Sequence, residues 1–163
     1  MVKLLRIDDR LIHGQVAVYW VKAVEADTIV VADDKHAGSA MLKMTLSVGK
    51  PSGVKMEVLR IEDAIAYINK PSNSKNKMLV VTGSCRDALK IAEGCEGIKD
   101  VNLGGIRHAE GRVSVARQIF VAKEDIEALG QIEVMGKNVF LQEIPSKDKI
   151  SFSEVKQTYE KNK

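Results

Sequence analysis

Short runs of β-branched, apolar residues alternate with helical patterns along this 163-residue chain, and that alternation constrains the fold most. Thr28-Ile29-Val30-Val31-Ala32 is a continuous apolar run, as expected of a strand covered on both faces. Val2 to Asp8, Lys55 to Leu59, Lys77 to Thr82, Lys99 to Leu103 and Val139 to Glu143 read as further strands, with one or two short ones in Val113 to Val121. Between them, Gln15 to Glu25, Ser39 to Val48, Ile61 to Asn69, Cys85 to Glu93 and Lys123 to Val134 read as helices. On the first helix Val16, Tyr19, Trp20 and Ala23 are expected on one buried face. On the second, Met41 and Met44 are expected in the core. Strands separated by helices predict an α/β fold, an open and mainly parallel sheet with helices on both faces. Residues 1–148 are expected to form a single domain, with 149–163 a polar C-terminal tail carrying at most a short helix.

Composition narrows the function classes. The chain is 45% hydrophobic and 29% charged, with a formal net charge of +3. No block of like charge forms a basic stripe, and only 4% of residues are aromatic, so nucleic-acid binding is not expected. Cys85 and Cys95 have neither metal-knuckle nor disulfide-framework spacing, and reduced, partly buried thiols in a cytoplasmic protein are expected. No apolar run reaches the ~20 residues of a membrane helix, and no signal-peptide pattern is present.

In open α/β sheets, ligands sit at the carboxyl ends of strands, where the strand order reverses. Three segments collect there: Asp8 to Gln15, Thr82-Gly83-Ser84, and Gly104-Gly105-Ile106-Arg107-His108. The first holds His13, on a loop ahead of a helix. Imidazole there can accept a phosphoryl group, move a proton or hold a metal, and the surroundings favour the first. Phosphoryl transfer needs positioning and positive potential more than covalent help. Arg10 offers a guanidinium fork for phosphoryl oxygens, Gly14 allows close backbone approach, and the amides of Gly14, Gln15 and Val16 begin a helix whose N-terminus attracts anions. Asp8 or Asp9 could fix the imidazole tautomer or brace Arg10. Thr82 and Ser84 could offer hydroxyls and amides to the same group, or Ser84 could cap the next helix. His36 is expected as a solvated loop residue, and His108 on an exposed rim.

The run Arg6 to Val16, RIDDRLIHGQV, resembles the active-site signature of the IIB components of bacterial phosphotransferase systems, mannose/fructose/sorbose class. TIVVAD at residues 28–33, Val101 to Gly105 and the terminal strand through Pro145 fit the same family, so the resemblance covers roughly residues 1 to 148. It implies a mainly parallel sheet with one antiparallel edge strand. It implies a protein-N(π)-phosphohistidine–sugar phosphotransferase in which His13 is charged by phosphorylated IIA and passes the phosphoryl group to a sugar crossing the membrane through IIC/IID. Arg10 matches the family's phosphoryl-binding arginine, with Asp9, Gly14, Gln15, Thr82 and Ser84 as further candidates around the phosphoryl group. No cofactor or metal is implied. A cytoplasmic location, peripheral association with the membrane transporter and homodimers are. The start at Met1 favours a free-standing IIB over one part of a IIA–IIB chain.

Two other classes fit the sequence less well. A non-catalytic regulatory module keeping the fold would show loss of the histidine or arginine, and both are present. A nucleotide-binding enzyme lacks support, because neither G-x-x-x-x-G-K-[ST] nor G-x-G-x-x-G after the first strand occurs. The sugar itself is not legible in the sequence.

Overall fold

A computed structural model describes all of residues 1–163. The strands are β1 (Val2–Asp8), β2 (Thr28–Ala32), β3 (Lys55–Leu59), β4 (Met78–Thr82), β5 (Asp100–Gly105), β6 (Val113–Ala116), β7 (Ile119–Val121), β8 (Asn138–Leu141) and β9 (Ile150–Ser151). The helices are α1 (Gly14–Val24), α2 (Asp34–Ala37), α3 (Ala40–Val48), α4 (Ile61–Asn69), α5 (Cys85–Gly94), α6 (Lys123–Val134) and α7 (Phe152–Asn162).

Seven strands form one sheet in the order β3-β2-β4-β1-β5-β8-β9, all parallel except β9, which pairs antiparallel with β8 at the edge. The expected α/β class, parallel sheet and antiparallel edge strand are therefore present. β6 and β7 make a separate antiparallel hairpin. From β1 the chain moves to β2 on one side, and from β5 it moves to β8 on the other. The crevice where the two directions part lies over the carboxyl ends of β1 and β5.

Strand periodicity assigns side chains to two faces. Leu5, Ile7, Val30, Val80 and Leu103 join α4, α5, α6 and α7 in the larger core cluster. Leu4, Ile29, Val31, Leu79 and Phe140 join Trp20 of α1 and Leu46 of α3 in the smaller one. On β1 the smaller-cluster face runs Leu4, Arg6, Asp8. It begins apolar and becomes charged toward the carboxyl end, next to α1.

Three expectations are corrected. Residues 149–163 are not a polar tail: they supply β9 and α7, and Phe152, Val155 and Tyr159 are buried in the larger core. A capping box between Ser151 and Glu154 starts α7. Met41 and Met44 lie outside the core at 78% and 70% exposure, because α3 seats only Leu46 against the sheet. On α1 the buried residues are Ala17 and Trp20, while Tyr19 and Ala23 face outward. No helix is long and apolar enough to cross a membrane.

Candidate functional site

Asp8 is the hub of the site. As the last residue of β1 it is fully buried, and a buried carboxylate must be answered by donors. Its Oδ2 lies 2.9 Å from Nη2 of Arg6 and 2.9 Å from Nε2 of His13. Its Oδ1 accepts the amide of Arg10 at 3.1 Å, with Nε of Arg10 at 3.6 Å. Burial pushes the carboxyl upward, but the His13 hydrogen bond, the Arg6 charge and the Arg10 amide outweigh it and hold Asp8 below the usual carboxylate value.

Arg6 holds that hub from beneath. Burial draws the guanidinium down from its usual value and the Asp8 charge opposes this; an arginine stays cationic throughout. Its Nη1 donates to Oδ1 of Asn102 at 2.6 Å and to the Gln142 carbonyl at 3.3 Å, and the guanidinium sits 5.2 Å from the centroid of the Trp20 ring. Asn102 donates to the same Gln142 carbonyl at 3.0 Å. The two glycines ending β5 make room for the ion pair. A Cβ on Gly104 would collide with the Arg6 guanidinium, and one on Gly105 would press on the Asp8 carboxylate at 3.2 Å.

The loop from Asp8 to His13 is wound tightly. The Leu11 amide donates to the Asp8 carbonyl at 2.9 Å. Leu11 has φ 58°, a left-handed conformation that costs a leucine ~1–2 kcal/mol, and it is held there with Leu11 and Ile12 buried in the smaller core. His13 then serves as the N-cap of α1 in extended conformation, and Gly14 follows at φ 49°. No side chain caps α1 and no acidic residue occupies its first turn. Its amides and positive dipole end are left open beside the imidazole.

A carboxylate only accepts hydrogen bonds, so the Nε2 facing Asp8 carries the ring proton. In neutral His13 the lone pair is therefore on Nδ1, which has no protein partner. The His13 side chain is 22% exposed and Arg10 39%. A half-open nucleophilic nitrogen, an accessible guanidinium and open helix amides suit an incoming oxyanion.

The remaining expected residues divide. Gly14 and Gln15 are exposed on the first turn of α1, beside His13. Asp9 is turned away from a phosphoryl-binding role: its Oδ2 accepts the Arg107 amide at 3.0 Å and lies 3.3 Å from its Nε, tying down the loop after β5. Thr82 is fully buried and its hydroxyl donates to the Ala32 carbonyl at 2.9 Å, inside the sheet. Ser84 Oγ accepts the Asp87 amide at 3.1 Å and caps α5. His36 is not a solvated loop residue: it lies in α2, with Nδ1 2.6 Å from Oδ2 of its N-cap Asp33. His108 is exposed and stands edge-on to Phe120, 5.3 Å between centroids. Arg6, Asn102 and Gln142 were not among the expected site residues. For Arg6 and Asn102 the available signal was polarity: a charged or amide side chain within a central, two-face-buried strand requires a partner; Gln142 lies just past β8 and carried no such signal.

The profile described as "PTS system sorbose subfamily IIB component" matches residues 2–163. The chain belongs to the sorbose subfamily of phosphotransferase-system IIB components. It is 31% identical over 161 residues to a probable phosphotransferase enzyme IIB component of Streptococcus pyogenes, covering 95% of this chain and 99% of that protein. It is 31% identical over 149 residues to the N-acetylgalactosamine-specific phosphotransferase enzyme IIB component 1 of Escherichia coli, covering 91% and 94%. The crystal structure of the IIBSor domain of the sorbose permease from Klebsiella pneumoniae superposes with a TM-score of 0.91 at 25% identity, over 97% of this chain and 98% of that one. As a IIB component of this family, the chain is a phosphotransfer carrier in sugar uptake.

Proposed function

We propose that His13 is the residue that carries the phosphoryl group, and that Nδ1 is the atom that bears it. The observation that supports this reading most is the 2.9 Å contact between Nε2 of His13 and Asp8, which leaves the Nδ1 lone pair free.

The geometry supports a two-stage transfer. Phosphorylated IIA, itself a phosphohistidine protein in this reading, presents its phosphoryl group to Nδ1. The Nδ1–P bond forms as the donor's N–P bond breaks, and the donor nitrogen regains its lone pair. The Nε2 proton stays in place. A ring substituted at both nitrogens carries positive charge, and the Asp8 carboxylate stabilises it. Arg10 and the first-turn amides of Gly14 and Gln15 neutralise the equatorial oxygens. In the second step a sugar hydroxyl attacks phosphorus, the Nδ1–P bond breaks with its electron pair returning to Nδ1 to leave the neutral ring, and the hydroxyl proton passes to solvent water. That sugar is held by a IIC/IID membrane complex, with the carrier docked at its cytoplasmic face. The sugar belongs to the hexose and amino-sugar range named among the relatives. Arg10, part-exposed and bound to Asp8 at only 3.6 Å through Nε, is free to swing toward the phosphoryl group.

The test is a phosphorelay with purified general phosphotransferase proteins, a cognate IIA and labelled donor. Acid-labile label on this chain, lost in His13→Ala, supports the assignment. Undiminished labelling of His13→Ala overturns it.

A further inference from the structure

Beside Arg10 a cavity of about 140 Å³ opens between the β1 loop, the end of β5, the β6–β7 turn and the segment after β8; Arg6, Arg10, Gly104, Arg117, Glu143 and Lys147 line it. Four of those side chains are cationic and one is anionic, and their partners differ. Arg6 is answered by Asp8 at 2.9 Å, and Lys147 faces Glu143 at 3.6 Å. Arg10 has only a 3.6 Å approach to Asp8, which already serves Arg6 and His13. Arg117 has no carboxylate within ion-pair distance and no hydrogen-bond partner, although it borders the cavity.

Its mounting is firm. Arg117 and Gln118 form the turn of the β6–β7 hairpin, and the next strand is locked to the end of β5. Ile119 and Val121 are fully buried, Ile119 bridges Ile106, and the Phe120 amide donates to the Ile106 carbonyl at 2.9 Å. The backbone beneath the guanidinium is thereby fixed, so binding an anion costs little beyond the ordering of one side chain. Two arginines with unspent donors facing one small cavity match the oxygens of a tetrahedral dianion.

We propose that Arg117 is a second anion-binding residue of this carrier. With Arg10 it holds the phosphate of a phosphate monoester dianion next to His13, with the organic part of the ligand outside the cavity. Arg10 lines this cavity and shares the Asp8 carboxylate with His13, so one guanidinium can serve both the carried group and the released one. The proposal rests on the reading of His13 as the phosphoryl acceptor and extends it to the state after transfer.

The test is an amide NMR titration of the full chain at constant ionic strength, with inorganic phosphate in one arm and mannose 6-phosphate in the other. Saturable shifts at Gly104, Gln118 and Lys147 are expected. Arg117→Ala is expected to weaken both ligands about tenfold or more, as for loss of a charge-assisted hydrogen bond, with partial recovery in Arg117→Lys. Lys161→Ala, which removes an exposed charge far along α7, should bind as the parent does. Equal affinity for the two ligands assigns the cavity to the phosphate group alone; tighter mannose 6-phosphate binding, still lost in Arg117→Ala, assigns it to the sugar-phosphate product. Unsaturable shifts, or unchanged affinity in Arg117→Ala, overturn the proposal. Phosphorelay labelling of the same parent sample reads the His13 assignment separately: missing label with intact phosphate binding rejects the acceptor role and leaves the anion site standing.

Discussion

Asp8 holds His13 by Nε2 at 2.9 Å, and the same carboxylate oxygen is the counter-ion of buried Arg6 at 2.9 Å. The residue that sets the imidazole tautomer therefore also neutralises a charge in the core. Function and stability meet on one oxygen, and substitutions there separate into two readouts.

Asp8→Asn removes the obligate acceptor. An amide can donate to Nε2, which favours the tautomer with Nδ1 protonated and unable to attack. Phosphorylation of His13 is expected to slow on the order of 10²–10⁴-fold, the range for losing correct base and tautomer placement. Stopped-flow or quench-flow transfer from phosphorylated IIA measures it. A rate within threefold of the parent would remove Asp8 from the mechanism.

The same substitution leaves Arg6 buried without its anion, which costs about 3–5 kcal/mol. Urea unfolding of Asp8→Asn and Arg6→Met should separate the two effects. Arg6→Met leaves the buried Asp8 carboxylate with its His13 and Arg10 amide partners, so it is expected to lose less stability than Asp8→Asn.

Because the native Asp8 carboxyl is held below its unfolded value, the native state binds fewer protons there than the unfolded chain. Its contribution is complete above the unfolded carboxylate value near pH 4 and is lost as pH falls through the lower native value. Melting temperature should therefore drop on acidification below about pH 4, and this part of the drop should be absent from Asp8→Asn. An identical acid limb in both proteins would contradict the assignment.

Gly104→Ala places a methyl group on the Arg6 guanidinium. Relief requires moving a buried, bonded side chain, so overpacking costs of about 1–3 kcal/mol or more are expected. Gly97→Ala meets nothing within 4 Å and should be near neutral. Paired denaturation curves give the order, and equal stabilities would show that Arg6 can relocate freely.

Phe152 is 2% exposed in the larger core. Phe152→Ala is expected to cost about 3–5 kcal/mol and to lower the unfolding midpoint of the whole domain in one transition. A loss below 0.5 kcal/mol would return residues 149–163 to the status of a tail.

Burial pushes the Cys85 thiol well up and the Cys95 thiol to about 11, each mainly through desolvation. Neither forms appreciable thiolate at pH 8. Iodoacetamide should leave both unmodified in the native protein and alkylate both after unfolding; rapid native labelling of either would place it at the surface.

Much of this architecture was readable beforehand. The bounds of β2, β3, α4 and α6 follow from apolar runs closed by Gly, Pro or polar breakers, and their observed ends are those expected. The carboxyl-end clustering of His13, Arg10 and Gly104 followed from the alternation of strands and helices. Other features depended on tertiary partners. Phe152, Val155 and Tyr159 have helical spacing, but among lysines and glutamates that stripe is sparse, and the neighbouring core decides its burial. Met41 and Met44 point outward because α3 meets the sheet through Leu46 alone. Choosing between Asp8 and Asp9 needed the pleat. Asp8 shares the face of Leu4 and Arg6, and so meets His13 and α1, while Asp9 begins the loop and meets Arg107. The Thr82 hydroxyl could not be followed into the sheet without knowing that β2 lies beside β4.

The most direct measurement is the position of phosphate on the chain after transfer from phosphorylated IIA. Long-range proton–nitrogen NMR of ¹⁵N-histidine-labelled protein distinguishes the two ring nitrogens of each histidine. Phosphate is expected on Nδ1 of His13, with Nε2 still protonated toward Asp8. Phosphate on Nε2 of His13, or on His36 or His108, would contradict it.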